Sequence, residues 1–364
     1  MNRANGKQRG IAMMLVLTVV VAASIMGMSY LSITSVKLAS STNMVCAAEA
    51  TYLAESGLQH AMWMLRTVSP ALLGATSAHP LGPFQLDSDG GQYVMYAQPT
   101  GTPLQYTITA RGTSRGITRT SQAVARIYSQ YNDKVTALGP IHLWRLGELS
   151  GVIATDVAGS KNGQYKGPLL GQPGAICGDT NTAVHFDGIN DYVDLENMDL
   201  SGNKMTILCW FKADAFNIDD LRFISKAQGI QADDHYWMLG TVRYGADLVL
   251  RMRLRTGLST SSLNATTGKL EVGAWTLATA TYDGLWMKLY KNSRLLGTGL
   301  RLDNIAENDQ VPVWIGGNPD GESSRPFLGT IDEVVIFNKA LTACQIDSLH
   351  QARQASVALV KWEK

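Results

Sequence analysis

The chain has 364 residues, a formal net charge of +1 and charged side chains at 17% of its positions. This charge balance gives no indication that the protein binds nucleic acid or an anionic surface. The low charge and the 35 glycines are typical of a β-rich exported protein with many tight turns. The four cysteines are widely spaced and form no CxxC pair, which argues against a zinc site and requires no disulfide framework.

The N-terminus joins a short basic segment to a long apolar one. Arg3, Lys7 and Arg9 precede Gly10, and no Asp, Glu, Lys, Arg or His follows from Ile11 to Val36. A helix of these 26 residues would be about 39 Å long, enough to cross a bilayer core of about 30 Å. Because a cleaved secretory signal has an apolar core of only about 7–15 residues, we expect a retained transmembrane helix. The basic residues predict a cytoplasmic N-terminus and an exported remainder. In a bacterial envelope this would mean an inner-membrane anchor with the remainder in the periplasm or at the cell surface.

The helical pattern continues beyond the apolar run. Apolar residues recur at spacings of three and four, as on one face of an amphipathic helix. They are Ala50, Leu53, Ala54, Leu58, Ala61, Met62 and Leu65. Pro70 marks the end of the pattern. The sequence therefore predicts one helix from about residue 11 to about residue 67, apolar all round its first half and along one side of its second.

Two stretches of this helix carry a family resemblance. "QRGIAMMLVLTVVV" and "AAEATYLAESGLQHAMW" together resemble the N-terminus of bacterial type IV minor pilins of the PilX kind and of K-type pseudopilins of type II secretion. The resemblance implies a prepilin leader, residues 1–10, that is cleaved between Gly10 and Ile11, and partners among other pilin or pseudopilin subunits. The chain departs from major pilins at Leu15, where they carry a glutamate that pairs with the N-terminal amine of a neighbouring subunit. In this respect the chain is closer to tip subunits, which have no subunit above them.

The segment after the helix predicts three strands. "QYVMYAQP", "QYTITARG" and "GITRTSQAVARIYS" alternate apolar and polar residues, and "GTSRG" reads as a hairpin turn. One small antiparallel sheet packed on the helix would bury both apolar faces. We therefore expect a transmembrane helix over 11–36, a pilin-like helix and sheet over 37–131, and a linker over 132–139.

The remainder predicts an all-β sandwich. Short strands alternate with Gly, Asn and Asp turns and no long helix intervenes. "LWRL", "FDGINDYV", Trp210, "WTLATATYDG" and "GTIDEVVIFNKAL" follow in the order of the laminin-G-like jelly rolls of the concanavalin A-like superfamily, which they resemble. The fold class is thus an α+β pilin-like module followed by an all-β jelly roll over 140–352, with a C-terminal tail over 353–364. Thr342 and Gln345 predict a capping box for a short helix with Ile346 and Leu349 buried.

No catalytic residues are assigned. The resemblance to glycoside hydrolases of the superfamily would require paired carboxylates on one strand, and no such run is present. Nucleophile-elbow, zinc-protease and P-loop motifs are also missing from the sequence. We therefore predict a protein that is not an enzyme.

Two kinds of binding residue are candidates. Asp156 and Asp332 come from the two ends of the jelly roll and are hard oxygen donors for one structural Ca²⁺, the only cofactor considered. Loop and aromatic positions are candidates for a carbohydrate or a protein ligand; the residues are Asp234, Trp237, Asn318, Asp320 and Arg325. For both sets the alternative is a structural role, in turns, strand ends or the core.

The sequence as a whole predicts an envelope-anchored minor pilin or pseudopilin-like protein that displays a non-catalytic jelly roll for binding carbohydrate or protein, in adhesion or at a filament tip. Its partners would be the membrane, other pilin subunits and a surface ligand, with no nucleic acid. The alternative is a single-pass anchored surface protein with a structural jelly roll that joins no filament.

The leader can be tested by substitution. Gly10→Ala should abolish leader removal, because the narrow protease site accepts only a residue without a side chain before the cleaved bond. The intact mass of the purified protein should then correspond to the full chain, whereas the unchanged protein should begin at Ile11. Gly27→Ala, inside the apolar run, is the control and should be processed normally. Normal processing of Gly10→Ala would contradict the prepilin hypothesis.

Overall fold

The computed structural model describes residues 4–86, 90–319 and 325–363, with side chains described from residue 13 to residue 362 within these ranges. The chain divides into two compact units. Unit 1 consists of Met1–Arg126 and Ala358–Lys364, and unit 2 of Ile127–Val357. Unit 2 is therefore an insertion within the sequence of unit 1.

The helices are α1 (Ala4–Leu65), α2 (Pro70–Leu73), α3 (Tyr131–Ala137) and α4 (Ala343–Gln351), with a 3-10 turn at Ala232–Asp234. The first strands are β1 (Leu81–Gln85), β2 (Gln92–Pro99), β3 (Gln105–Ser114), β4 (Ile117–Tyr128), β5 (His142–Trp144), β6 (Ile153–Ala154), β7 (Gly163–Lys166), β8 (Leu169–Pro173), β9 (Thr182–Asp187) and β10 (Tyr192–Asn197). The others are β11 (Met205–Ala213), β12 (Arg222–Ala227), β13 (His235–Tyr244), β14 (Asp247–Thr256), β15 (Ser259–Asn264), β16 (Thr276–Tyr282), β17 (Trp286–Lys291), β18 (Arg294–Leu300), β19 (Pro312–Ile315), β20 (Leu328–Phe337) and β21 (Ser356–Glu363).

Unit 1 is a long helix on a five-stranded sheet. The sheet order is β1-β2-β3-β4-β21. Gly112 on β3 faces the helix so closely that a Cβ would collide with the Ala50 carbonyl oxygen and come within 2.7 Å of Leu53 Cβ. Ser114 Oγ donates to Glu49 Oε2 at 2.6 Å. The predicted amphipathic face is thus the packed one, since Ala50, Leu58 and Leu65 are fully buried.

The two halves of α1 have different surroundings. The segment Met13–Leu65 is long and apolar enough to cross a membrane, and its most apolar window has a mean hydropathy of 2.1 and no buried residue. Serine and threonine hydroxyls within this window bond to carbonyls three or four residues back, as Ser24 Oγ does to Val20 O at 2.8 Å. A membrane anchor and a signal sequence both fit this helix. Gly10 and Ile11 belong to α1, but the surroundings of these two residues lie outside what the structure describes.

Unit 2 is a sandwich of two antiparallel sheets. We call β15-β14-β13-β12-β19-β10-β7-β6 the front sheet and β18-β17-β16-β11-β20-β9-β8, with β5 also paired to β20, the back sheet. One continuous apolar core lies between them. Phe211 of the back sheet stacks on Phe223 of the front sheet, with ring centroids 4.2 Å apart, and Phe327 packs edge-on against Phe223 at 5.3 Å.

The outer face of the back sheet has a second apolar core. Trp210 of β11 is fully buried there, together with Tyr131 and Val135 of α3 and Leu349 of α4. The predicted capping box of α4 is confirmed, since the Gln345 N–H donates to Thr342 Oγ1 and the Thr342 N–H to Gln345 Oε1. Both helices therefore act as covers for a sheet face that would otherwise expose apolar side chains.

Two segments differ from their sequence-based interpretation. The linker expected over 132–139 is largely helix α3. This helix has only seven residues, which is too short for its apolar residues to show a helical period in the sequence. The tail expected over 353–364 contains β21, the fifth strand of the unit 1 sheet. The jelly roll is thus bounded by unit 1 strands on both sides in the sequence.

These boundaries predict which excised piece is stable. Residues 127–357 should unfold cooperatively, whereas residues 138–352 should be less stable by about 3 kcal/mol or more, because Tyr131 and Val135 would be missing from the core on Trp210. Thermal and urea unfolding of the two pieces measures the difference. Tyr131→Ala in the longer piece should reproduce most of the loss, and Thr136→Ala, exposed on the same helix, should not. Equal stability of the two pieces would show that α3 is dispensable.

Candidate functional site

Arginines are concentrated on the outer face of the front sheet. Arg251 and Arg253 alternate along β14 with core residues such as Met252, so their side chains point away from the sandwich core. Across the sheet, Arg222 of β12 and Arg251 both pair with Gly240 of β13. No side chain therefore stands between these two arginines at the middle position of the row.

A fourth arginine joins them from a loop. The Arg222 N–H donates to the Arg325 carbonyl oxygen at 3.2 Å, which fixes the loop at the start of β12. We call Arg222, Arg251, Arg253 and Arg325 the arginine cluster. Exposure increases across it, from 0% for the side chain of Arg222 and 14% for that of Arg251 to 36% for that of Arg325. The cluster is therefore buried at one end and open to solvent at the other.

Asp220 is the only carboxylate in the described chain that forms ion pairs with this cluster. It accepts two bonds from the Arg222 guanidinium, one of them at 3.1 Å, and one from Arg251 Nη1 at 3.0 Å. Arg325 Nε lies 3.5 Å from Asp220 Oδ2. Burial opposes ionisation of Asp220, but the bond and charge of Arg222, with Arg251 and Arg253, outweigh burial and lower its pKa. Four guanidinium groups thus share one negative charge.

His235 adds no charge to balance them. Its Nδ1 lies 2.7 Å from the Gln231 carbonyl oxygen, and its Nε2 lies 3.3 Å from Arg222 Nη2. Burial and the charges of Arg222 and Arg253 lower the pKa of His235 to about 4. The ring is therefore neutral at pH 7, and Arg253 Nη1 is left with contacts of 3.4 Å to Nε2 and to the Ile230 carbonyl.

The guanidinium groups are incompletely hydrogen-bonded. The Nε–H groups of Arg222, Arg253 and Arg325 are buried and form no hydrogen bond with the described residues. Burial, followed by the mutual repulsion of the arginines, lowers the pKa of Arg253 to about 10. Because a buried cation without acceptors is costly, the arrangement favours any anion that could reach it.

An aromatic pair lies on the same face. Trp314 of β19 pairs with Ser225 of β12, which pairs in turn with Met238 and Arg253 in one row across the sheet. The rings of Trp314 and Tyr192 stack with centroids 3.7 Å apart, and both residues are half-buried. At about 4.8 Å per strand, the Trp314 backbone lies roughly 14 Å from that of Arg253.

The structure separates the predicted ligand residues. Asn318 and Arg325 lie at the arginine cluster, where Asn318 Oδ1 accepts from Ser225 Oγ at 3.0 Å and lies 3.1 Å from His235 Nε2. Asp234 closes the adjacent turn by accepting from the Gln231 N–H at 2.8 Å. Trp237 is fully buried in the sandwich core, so its interpretation as a ligand-stacking ring is wrong. Asp320 lies outside the described residues.

Sequence reasoning missed most of the cluster. The stretch "LRMRLRT" carries Arg251, Arg253 and Arg255 at alternate positions, which places like charges side by side on one strand face. This unfavourable pattern was a usable signal. Arg222 and Asp220 have no comparable signal, because only the pairing of β12 with β13 brings them to Arg251.

The two calcium candidates have structural hydrogen bonds. Asp156 accepts from His142 Nδ1 at 2.7 Å and from the N–H groups of Leu143 and Gly159, both at 2.9 Å. The N–H groups of Ala158 and Lys161 also donate to it. Its carboxylate therefore organises the loop after β6. Burial opposes ionisation, but these bonds outweigh it and lower the pKa of Asp156 to about 2.

Asp332 belongs to a different buried group. Its Oδ2 accepts from the Ala175 N–H at 2.7 Å, and burial, together with the charge of Glu333, raises its pKa. Glu333, at a bulge of β20, accepts from Arg145 Nε at 2.8 Å, and Arg145 Nη2 also bonds to Asp179 at 2.7 Å. Within the described residues no three His, Cys, Asp or Glu side chains are grouped to hold a metal ion. The calcium site stays a prediction that these contacts do not support.

The comparison with protein families matches a segment of unit 2. Residues 187–347 match the family of the concanavalin A-like lectin/glucanases superfamily, and they form a jelly-roll domain of that type. No curated protein matches the chain. Similar solved structures include domain 4 of AbnA, an extracellular arabinanase of Geobacillus stearothermophilus in complex with arabinotriose, with 20% identity over 62% of this chain and 98% of that one and a TM-score of 0.38. A pentraxin of Limulus polyphemus has 17% identity, covers 46% and 81%, and has a TM-score of 0.37. A sialidase of Trypanosoma rangeli in complex with sialic acid has 11% identity, covers 72% and 45%, and has a TM-score of 0.44.

The role of Asp156 predicts an acid-sensitive loop. A carboxylate whose folded pKa is about 2, against about 3.9 unfolded, stabilises the fold above pH 4, and that stabilisation is lost as the pH falls towards 2. Asp156→Asn should therefore lower the free energy of unfolding at pH 7 by about 2 kcal/mol and flatten the loss of stability between pH 4 and pH 2. Urea unfolding across that range is the measurement.

Asp247→Asn serves as the control for this series. Asp247 is half-exposed and lies 3.7 Å from Lys269 Nζ, so its removal should change stability little at any pH. An Asp156→Asn protein as stable as the parent at pH 7 would show that the loop does not depend on the carboxylate.

Proposed function

We propose that this chain is a minor pilin or pseudopilin-like subunit, anchored in the bacterial inner membrane, that displays a non-catalytic jelly roll for binding carbohydrate. One observation carries the proposal. Unit 2, whose front sheet has incompletely hydrogen-bonded arginines and a partly exposed aromatic pair, is inserted into unit 1, whose helix α1 is packed on a sheet along one half and exposed along the other. Each part has a separate basis in the described residues.

The division of α1 supports the pilin-like part. From residue 50 onward its apolar face is covered by β2 and β3, whereas Met14, Leu15 and Leu17 are each more than 60% exposed. Exposed apolar surface of this extent requires lipid or other apolar helices around it. In a pilin-like subunit, the exposed half of α1 would lie first in lipid and then among the helices of other subunits, so its apolar side chains would be covered in both states.

The front sheet supports the binding part. Stacked, partly exposed rings such as Trp314 and Tyr192 are suited to the apolar face of a sugar, and the neighbouring arginines and Asn318 supply polar groups. The buried acidic side chains of unit 2 do not favour catalysis, because Asp332 and Glu333 are inaccessible and engaged in holding β20. The face therefore fits recognition rather than turnover.

The alternative remains an anchored surface protein that joins no filament. The two differ in one observable, since a filament subunit is released from cells with sheared filaments and an anchor stays in the membrane fraction. A mature N-terminus at Ile11 would favour the filament subunit.

The binding proposal is tested with aromatic variants of the detergent-purified full chain on a panel of immobilised glycans. Trp314→Ala should weaken binding to the recognised glycan about tenfold, as expected for loss of one ring contact of about 1.4 kcal/mol. Trp286→Ala is the matched control, because Trp286 is 39% exposed on the back sheet. A parent protein that retains no glycan, or a Trp314→Ala protein that binds as the parent does, would contradict the proposal.

A further inference from the structure

We propose that the arginine cluster binds the oxyanion group of an acidic saccharide, a carboxylate or a sulfate ester on a sugar ring. This inference rests on the proposed function, since it names the class of carbohydrate that the front sheet recognises. It assigns a binding role to Arg222, Arg251, Arg253 and Arg325, with the anion entering from the side of Arg325.

The first argument is the charge imbalance. Within the described residues Arg222, Arg251 and Arg325 pair with the single carboxylate of Asp220, and Arg253 pairs with none. The ring of His235 is neutral and Asn318 is uncharged, so among the described residues the cluster has three more positive charges than negative ones. Asp320 and Glu322 precede Arg325 in the sequence but lie outside the described residues. Buried cations without partners are strongly unfavourable, and one or two bound oxyanion charges would relieve them.

The second argument is the set of free donors. Three buried Nε–H groups, on Arg222, Arg253 and Arg325, form no hydrogen bond in the described chain, although that of Arg325 lies 3.5 Å from Asp220 Oδ2. A guanidinium presents its Nε–H and Nη–H groups as a planar fork that fits the two oxygens of a carboxylate or two oxygens of a sulfate. Each of these forks is able to bind two oxygens of an oxyanion.

The third argument is the contrast with another buried arginine of the same unit. Arg145 bonds through Nε and Nη2 to Glu333 and through Nη2 to Asp179, at distances of 2.7 to 2.8 Å. This arginine therefore has two carboxylate partners within unit 2. In the cluster, by contrast, Arg253 forms no ion pair with any described carboxylate.

The fourth argument identifies the rest of the ligand as a sugar. The Trp314–Tyr192 stack lies on the same sheet face, in the row that continues through Ser225 and Met238 to Arg253. A free inorganic anion bound at the arginines would be too small to contact the partly exposed rings as well. A saccharide with one charged ring and one neighbouring ring would contact both the arginines and the aromatic pair.

The experiment compares three matched ligands by titration calorimetry of the detergent-purified full chain. They are an oligogalacturonate, the same oligomer with its carboxylates reduced to alcohols, and that neutral oligomer bearing sulfate esters. We expect one or both anionic forms to bind at least tenfold more tightly than the neutral form. The two anionic arms show whether the cluster takes a carboxylate, a sulfate or both.

Variants locate the effect at the cluster. Arg325→Gln, at a partly exposed side chain, should weaken binding of the anionic form about tenfold and leave binding of the neutral form unchanged. Arg243→Gln is the matched control: Arg243 lies on β13, is 46% exposed and pairs with Asp219, outside the cluster. Asp220→Asn should strengthen binding of the anionic form severalfold, because it removes a carboxylate that competes for the same donors. A purely structural role of Asp220 would not produce that gain.

The outcomes separate the two proposals. Equal binding of neutral and anionic oligomers, or an Arg325→Gln protein that binds the anionic form as the parent does, overturns the anion inference and leaves carbohydrate binding intact. If no saccharide binds, the proposed function fails, and with it the saccharide part of the inference. Inorganic sulfate then tests the cluster alone: sulfate should raise the melting temperature of the parent and of Arg243→Gln by several degrees more than that of Arg325→Gln. Equal shifts in all three would overturn the anion site as well.

Discussion

Strand β11 is apolar on both faces, and the rest of unit 2 depends on this constraint. Phe211 and Ile207 point into the sandwich core, while Trp210 and Leu208 point to the other side of the back sheet. An open antiparallel sheet can leave one face in water, but this one cannot. The front sheet covers the inner face, and α3 and α4 cover the outer one. The outer face of the front sheet instead carries the arginine cluster and the Trp314–Tyr192 pair.

The two sheets treat buried charge differently. On the back sheet, Arg145, Glu333 and Asp179 form a group in which the cation has two anionic partners. Such a group orders the bulge of β20 and the loops around it, even though a buried ion pair contributes little net stability. On the front sheet, Lys226 likewise has an anionic partner in Asp199, whereas the arginine cluster has more cations than described anions. We propose that a ligand supplies the missing negative charge.

Much of the architecture could be predicted from local sequence. The α1 face, strand β2 and the capping box of α4 follow from periodicity and from the residues that stabilise helix starts, because these signals act over a few positions. Helix α3 and strand β21 were missed, since seven or eight residues next to a boundary carry little pattern. The arginine cluster was missed for another reason. Arg222 and Arg325 are about a hundred residues apart, and only strand pairing and loop closure bring them together. Hydrogen-bond saturation, which distinguishes Asp156 from a free ligand, cannot be read from composition at all.

The position of unit 2 in the chain has a mechanical consequence. The jelly roll is joined to unit 1 by two peptide connections, which enter the strands β4 and β21, neighbours in one sheet. A domain hung from a single linker would transmit the whole tension of a pull through one backbone. In the proposed role, tension applied at a ligand bound to unit 2 would be shared by two backbones, each of which enters a strand of the unit 1 sheet. Extending the subunit under load would then require β4 or β21 to be pulled from that sheet.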